Sequence, residues 1–391
     1  MAAQDMYPLV AIDPVANAQN EWVALRLRLQ GYAGADADAE AGLLALFGQP
    51  DLLAAIAPLD GLLVLDSPAA LTPQVAALLP ANRIGLVIGA AALAQQHAAR
   101  LAELHGAGYR IWLDGDIPSE VTPPPALRCV ARDCHLDAPP PGQLVALFGP
   151  HLAHGVDSAR RFTQCEIAGF DWFCGDYPYD PLSAPHPDDD GSSRRRIMTL
   201  LGLLARDADS HDLEQQIKQD PALSYHLLKL VNSAAFAVSA PITSFAQAIA
   251  VLGRRQLQRW LQLLLYARPQ PDGLPNLLLP LAARRGAQLE TLCRQQGGER
   301  DAQDLAFMAG VFSLLDRLLR MPMEDIAREL QLPPDVGAAL VHRGGRLGSW
   351  LRLVEGEPGA DELAAAGVTA HDWWRSQLAA YHWAIQVGRN V

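Results

Sequence analysis

Residues Leu213–Leu265 read LEQQIKQDPALSYHLLKLVNSAAFAVSAPITSFAQAIAVLGRRQLQRWLQLLL, and their punctuation decides the fold of the second half of the chain. Asp220-Pro221 is a helix start, because the Asp side chain accepts from amides left without partners in the first turn. Proline fits the first helical position without losing a bond. From there Leu223, Leu227, Leu230 and Val231 form a stripe on one helical face. Asn232-Ser233 then bends the chain through side-chain to backbone bonds. Pro241 stiffens the return, Ile242 staples against the next helix, and Ser244 caps the helix Phe245–Leu252, which Gly253 ends. Leu257, Trp260, Leu261, Leu264 and Leu265 continue a helical stripe. Upstream, Arg194–Arg206 reads as a helix with Ile197, Leu200, Leu201 and Leu204 along one face. No strand-like alternation follows as far as Val391. The spacing therefore predicts an all-helical bundle over residues 194–391.

Outward from this stretch the pattern changes. Residues 175–193, GDYPYDPLSAPHPDDDGSS, are rich in Pro, Asp, Gly and Ser and have no apolar period, which suits an exposed connector. We divide the chain into an α/β domain over 1–180, a linker over 181–193 and the helical domain over 194–391. In the first part Leu62–Leu65, Ile84–Ile88 and Tyr109–Leu113 read as buried strands. Gly42–Phe47, Gln74–Leu79 and Ala90–His105 read as helices between them. Strands alternating with helices predict parallel β-α-β units, hence a sheet or barrel.

The bulk numbers set the function classes. The chain has 391 residues, of which 50% are hydrophobic and 19% charged, enough apolar material for two cores. A net charge of −12 argues against a nucleic-acid surface, which needs clustered Lys and Arg. Cys129, Cys134, Cys165, Cys174 and Cys293 form no Cys-x-x-Cys pair and are expected as reduced thiols. MAAQDMYPLV has no basic segment ahead of an apolar run, and the longest apolar runs are broken by Asp, Pro and Gln. The expectation is a cytoplasmic protein without membrane insertion.

The segment Leu213–Leu265 resembles the HDOD family, on Asp220-Pro221, Asn232-Ser233-Ala234 with Phe236, Ile242-Thr243-Ser244, Ala248-Ile249 and Leu252-Gly253. The resemblance implies a relative of HD phosphohydrolases that has lost its metal site. Within FMAGVFSLLDRLL (307–319) the His-Asp doublet would fall near Ser313-Leu314. His211-Asp212 and His371-Asp372 stand at helix starts, where capping accounts for them.

The same 307–319 run resembles a subgroup in which an HDOD domain follows an EAL domain, a TIM-like barrel that hydrolyses cyclic di-GMP with two divalent metals. Residues 168–177, with Pro178 and Pro181, resemble the closing element of that family. Val156-Asp157 resembles its Val-Glu, Gly108–Asp116 its Asp-Asp strand, and Trp22–Leu25 its first strand, which carries the signature motif. The implied fold is a degenerate EAL-like barrel followed by an HDOD bundle. The ligand set is depleted: the signature Glu falls at Val23 or Ala24, unless a shifted frame brings in Glu21. The strand-end Glu is Ile88 or Gly89, and the Asp-Asp pair is Asp114-Gly115. Near Leu62–Leu65 there are only Asp66 and Ser67, the Lys strand reads Arg128–Ala131, and the closing Gln is Cys174. Two-metal hydrolysis needs several carboxylates around one cavity.

These readings lead to three expectations. The first is a non-catalytic signal-transduction regulator, with neither metal nor cofactor, that acts through contacts with other signalling proteins. The second is a cyclic di-GMP receptor, with Arg26, Arg28, Asp114 and Asp157 as nucleotide candidates. The third is a weak cyclic di-GMP phosphodiesterase using remnants such as Asp114. The aromatic cluster Trp373, Trp374, Tyr381 and Trp383 is expected to close the bundle core.

Overall fold

A computed structural model of the chain describes residues 8–30, 36–48, 51–93, 97–116, 129–137, 144, 149–180, 192–206, 208–219, 223, 227, 231, 242, 244–267 and 275–390. In the first half, eight strands close in chain order into a barrel. They are β1 (Val10–Asn17), β2 (Trp22–Leu29), β3 (Asp60–Leu65), β4 (Ile84–Gly89), β5 (Ile111–Asp114), β6 (Cys129–Asp133), β7 (Leu152–His154) and β8 (Trp172–Phe173). Strands β2 to β8 run parallel, and β1 runs antiparallel to both of its neighbours.

Alternation along the strands sorts the side chains into two cores. Val15, Ala24, Leu62, Val87, Trp112, Ala131 and Leu152 fill the interior. Leu25, Leu27, Leu63, Leu86, Ile88, Ile111 and Leu113 face outward. Against that outer wall lie α1 (Asp36–Phe47), α2 (Asp51–Ile56), α3 (Pro73–Leu78) and α4 (Ala98–Gly106). Burial on both faces is why these strands read as unbroken apolar runs. Near β8 lies α5 (Ala159–Ala168), capped by the Ser158 hydroxyl.

Two sequence expectations need correction. The strand beginning at Trp22 is the second, preceded by β1, whose Asp13-Pro14 hides the strand pattern. Proline is tolerated there because β1 is paired on one side for most of its length. The helix expected over Ala90–His105 is shorter: a 3-10 turn occupies Ala90–Leu93, and α4 begins at Ala98.

The second half is helical: α6 (Ser192–Ala205), α7 (Ser210–Lys218), α8 (Phe245–Leu264), α9 (Leu278–Gln295), α10 (Arg300–Phe312), α11 (Leu315–Leu319), α12 (Met323–Glu329), α13 (Pro334–His342), α14 (Gly345–Glu355), α15 (Ala360–Ala365) and α16 (Ala370–Asn390). Ile197, Leu200, Leu201 and Leu204 are buried together with Leu223, Leu227 and Val231. The Ser244 hydroxyl accepts from Gln247 N at 3.3 Å, and Gly253 breaks α8 with φ of +75°. Asp220-Pro221, Asn232-Ser233, Phe236 and Pro241 lie outside the described residues. Among the described residues no helix is long and apolar enough to cross a membrane.

The halves meet along a seam in the barrel. Strand β1 pairs with β8 only at Ala16–Phe173 and Asn17–Trp172. The first half of β1 therefore turns unpaired carbonyls outward, and buried carbonyls need donors. Helix α16 supplies them. Gln377 Nε2 donates to Val10 O at 3.3 Å, and Tyr381 Oη donates to Ile12 O at 2.5 Å. Trp374, Leu378, Tyr381 and Ile385 join the outer core of the barrel, whereas Trp373 packs in the helical core. The aromatic cluster thus divides between the bundle and the barrel wall, and Trp383 is 40% exposed. Periodicity alone cannot assign a helix face to a partner.

Candidate functional site

The C-terminal ends of the parallel strands form the barrel mouth, and the alternation that buries Ala24, Trp112 and Leu152 aims the next inward positions at it. Two residues beyond Ala24 on β2 stands Arg26, whose Nη1 lies 3.2 Å from Asp13 Oδ2 on β1. Arg28 follows, bonded through Nη2 to Glu357 Oε1 of the helical half at 2.7 Å. Strand β5 ends in Asp114, which His154 at the end of β7 holds through Nε2 at 2.9 Å and 3.1 Å from the two oxygens. Asp133 closes β6 and accepts from His135 N at 2.9 Å. Asp157 accepts from the Ser158 hydroxyl at 2.9 Å and lies 3.7 Å from His135 Nδ1.

Between this mouth and the helical half lies a cavity of about 470 Å³. Its barrel side includes Asp13, Arg26, Gln30, Asp157 and Tyr177, and its helical side includes Arg284, Glu357, Gln377 and Tyr381. Of the residues singled out from sequence, Arg26 and Asp157 share this cavity. Arg28 reaches its rim through Glu357, and Asp114 is bound to His154 instead. Asp13, His154, Glu357 and Gln377 were not expected. Asp13 sits beside a strand-breaking proline, and the other three carry no periodic signal. Glu21 lies in the β1–β2 turn, where it accepts from Asn17 Nδ2 at 3.0 Å; no shifted frame brings it to the mouth.

The donor set does not fit the paired ions that the family resemblance implies. The inward positions of β2, β3 and β4 are Ala24, Leu62 and Val87, and no group of three or more His, Cys, Asp or Glu gathers among the described residues.

Burial pushes the Asp13 carboxyl above its ordinary value of 3.8, against the pull of Arg26, and nearby Glu357 pushes the same way. A raised value means that the folded state holds this proton more tightly than the unfolded one. Stability from this group is complete below 3.8 and is lost as pH rises through the raised value. Urea melts from about pH 4 to pH 7 should show wild type losing ground against Asp13→Asn, then running parallel to it. A constant difference across that range would show that burial of this carboxyl carries no cost.

The HDOD domain model matches residues 194–313. The chain is 29% identical over 249 residues to Cyclic di-GMP phosphodiesterase CdgJ of Vibrio cholerae, a match covering 61% of this chain and 56% of that protein. It is 28% identical over 208 residues to the uncharacterized protein YuxH of Bacillus subtilis, covering 52% of this chain and 50% of that protein. The chain thus spans about half the length of the curated relatives it matches. Among solved structures, the EAL domain of Mycobacterium smegmatis DcpA aligns with a TM-score of 0.35 and 16% identity, over 43% of this chain and 90% of that one. The expectation that the chain is not an enzyme is corrected by the first of these relatives, which is named a phosphodiesterase. Residues 194–313 are an HDOD domain, and a closed eight-stranded barrel stands ahead of it.

Proposed function

We propose that this chain serves cyclic di-GMP signalling, with the nucleotide held at the barrel mouth and the helical half relaying its presence through contacts with other proteins. One observation carries the reading: a cavity of about 470 Å³ at the mouth, roofed by the helical half and bordered by guanidinium and aromatic groups. That volume is in the range of small-molecule sites. Guanidinium groups such as Arg26, with Arg28 at the rim, suit phosphate oxygens. Asp157 stands on the polar border, placed to accept from base N–H groups.

Calorimetry of the full chain with cyclic di-GMP tests this. Arg28→Ala should weaken binding about tenfold, the loss of one charge-assisted contact. The absence of any binding heat from wild type at high nucleotide concentration would overturn the reading. Hydrolysis is the second reading, favoured by the name of the relative CdgJ. Incubating the same sample with Mg²⁺ or Mn²⁺ and looking for the linear dinucleotide decides it.

A further inference from the structure

We infer that the acidic loop between α14 and α15 is a built-in occupant of the barrel mouth, competing for Arg28 with the phosphate of an anionic ligand. The inference rests on the nucleotide reading above and adds how that site is regulated. The loop is Glu355-Gly356-Glu357-Pro358. Its root is firm, because Glu355 is held by Arg285 at 3.2 Å and by Arg343 at 2.8 Å from either carboxylate oxygen. Its tip reaches the barrel, where Glu357 Oε1 takes Arg28 at 2.7 Å and Oε2 lies 3.5 Å from Gln30 Nε2. One carboxylate thus engages two donors at the end of β2. A phosphate would present the same forked pair of anionic oxygens to that guanidinium.

The energetics suit a competitor. The Arg28 and Glu357 side chains are 39% and 47% exposed, so their bridge is solvated and weak. The buried bonds from Gln377 and Tyr381 to β1 are separate from it, so the tip can leave Arg28 without parting the halves. Ligand and loop then oppose each other reciprocally: the factor by which the loop on Arg28 weakens the ligand is the factor by which the ligand weakens the loop there.

The test is calorimetry with cyclic di-GMP on full-length wild type, Glu357→Gln and Glu329→Gln. The last removes the same charge from α12 and controls for net charge. Glu357→Gln should bind about threefold more tightly, the worth of one exposed ion pair, and Glu329→Gln should match wild type. Equal or weaker binding by Glu357→Gln, with wild type binding normally, overturns the competition and leaves the nucleotide reading intact. Equal tightening by both variants also overturns it. Failure of all three proteins to bind removes the nucleotide reading and this inference together.

Discussion

Trp112→Ala is expected to cost about 3–5 kcal/mol, the usual loss when a buried Trp is cut to alanine. Trp112 is 1% exposed and is the largest side chain in the barrel interior. Its ring occupies the space left by Gly85 on β4, where an added Cβ would fall 2.4 Å from Trp112 Cζ3. The ring stacks on Trp172 of β8, with centroids 5.4 Å apart. Its Nε1 donates to Pro150 O at 2.8 Å. One side chain therefore ties β4, β5 and β8 across the barrel, and a hole there cannot close without moving three strands. Urea unfolding followed by circular dichroism measures the loss. Trp112→Phe should recover most of it, lacking mainly the bond to Pro150. A loss below about 1 kcal/mol for the alanine variant would show that this ring does not fill the interior.

Gly310→Val is expected to destabilise the helical half by about 3 kcal/mol or more. Helices α9 and α10 cross with backbones almost touching. A Cβ at Gly310 would fall 2.5 Å from the carbonyl of Arg285 and 2.6 Å from Gly286 Cα. Backbone cannot swing aside as a side chain does, so the helices must separate. Separation would also pull Arg285 from Ser313, which it bonds at 2.9 Å, and from Glu355. Gly337→Ala on α13 is the contrast, since its added Cβ would meet nothing within 4 Å. There the change should be neutral or gain about 0.5–1 kcal/mol from helix propensity. Equal stability of the Gly310 and Gly337 variants in urea would refute the close crossing.

How much of this was legible in the sequence depended on which forces were local. Strands β3 and β4 were readable because burial on both faces leaves unbroken apolar runs, and α6 because its one stripe faces one core. Ser244 and Gly253 acted where expected, since a cap and a helix break are settled within four residues. Strand β1 was not readable. Asp13-Pro14 interrupts its pattern, and its free edge is satisfied by Gln377 and Tyr381, more than 360 residues later in the chain. What could not be read was pairing: His154 with Asp114, and Glu357 with Arg28, are joined only by the closed barrel and by the docking of the helical half.

The bonds from α16 to β1 make the polypeptide close on itself, with an early strand sealed by the last helix. A cut between residues 180 and 192 would then yield two fragments that still travel as one particle. The barrel lacks part of its wall without residues 370–390, so the smallest piece that keeps this architecture runs from β1 to α16, and the two halves share one fate in folding.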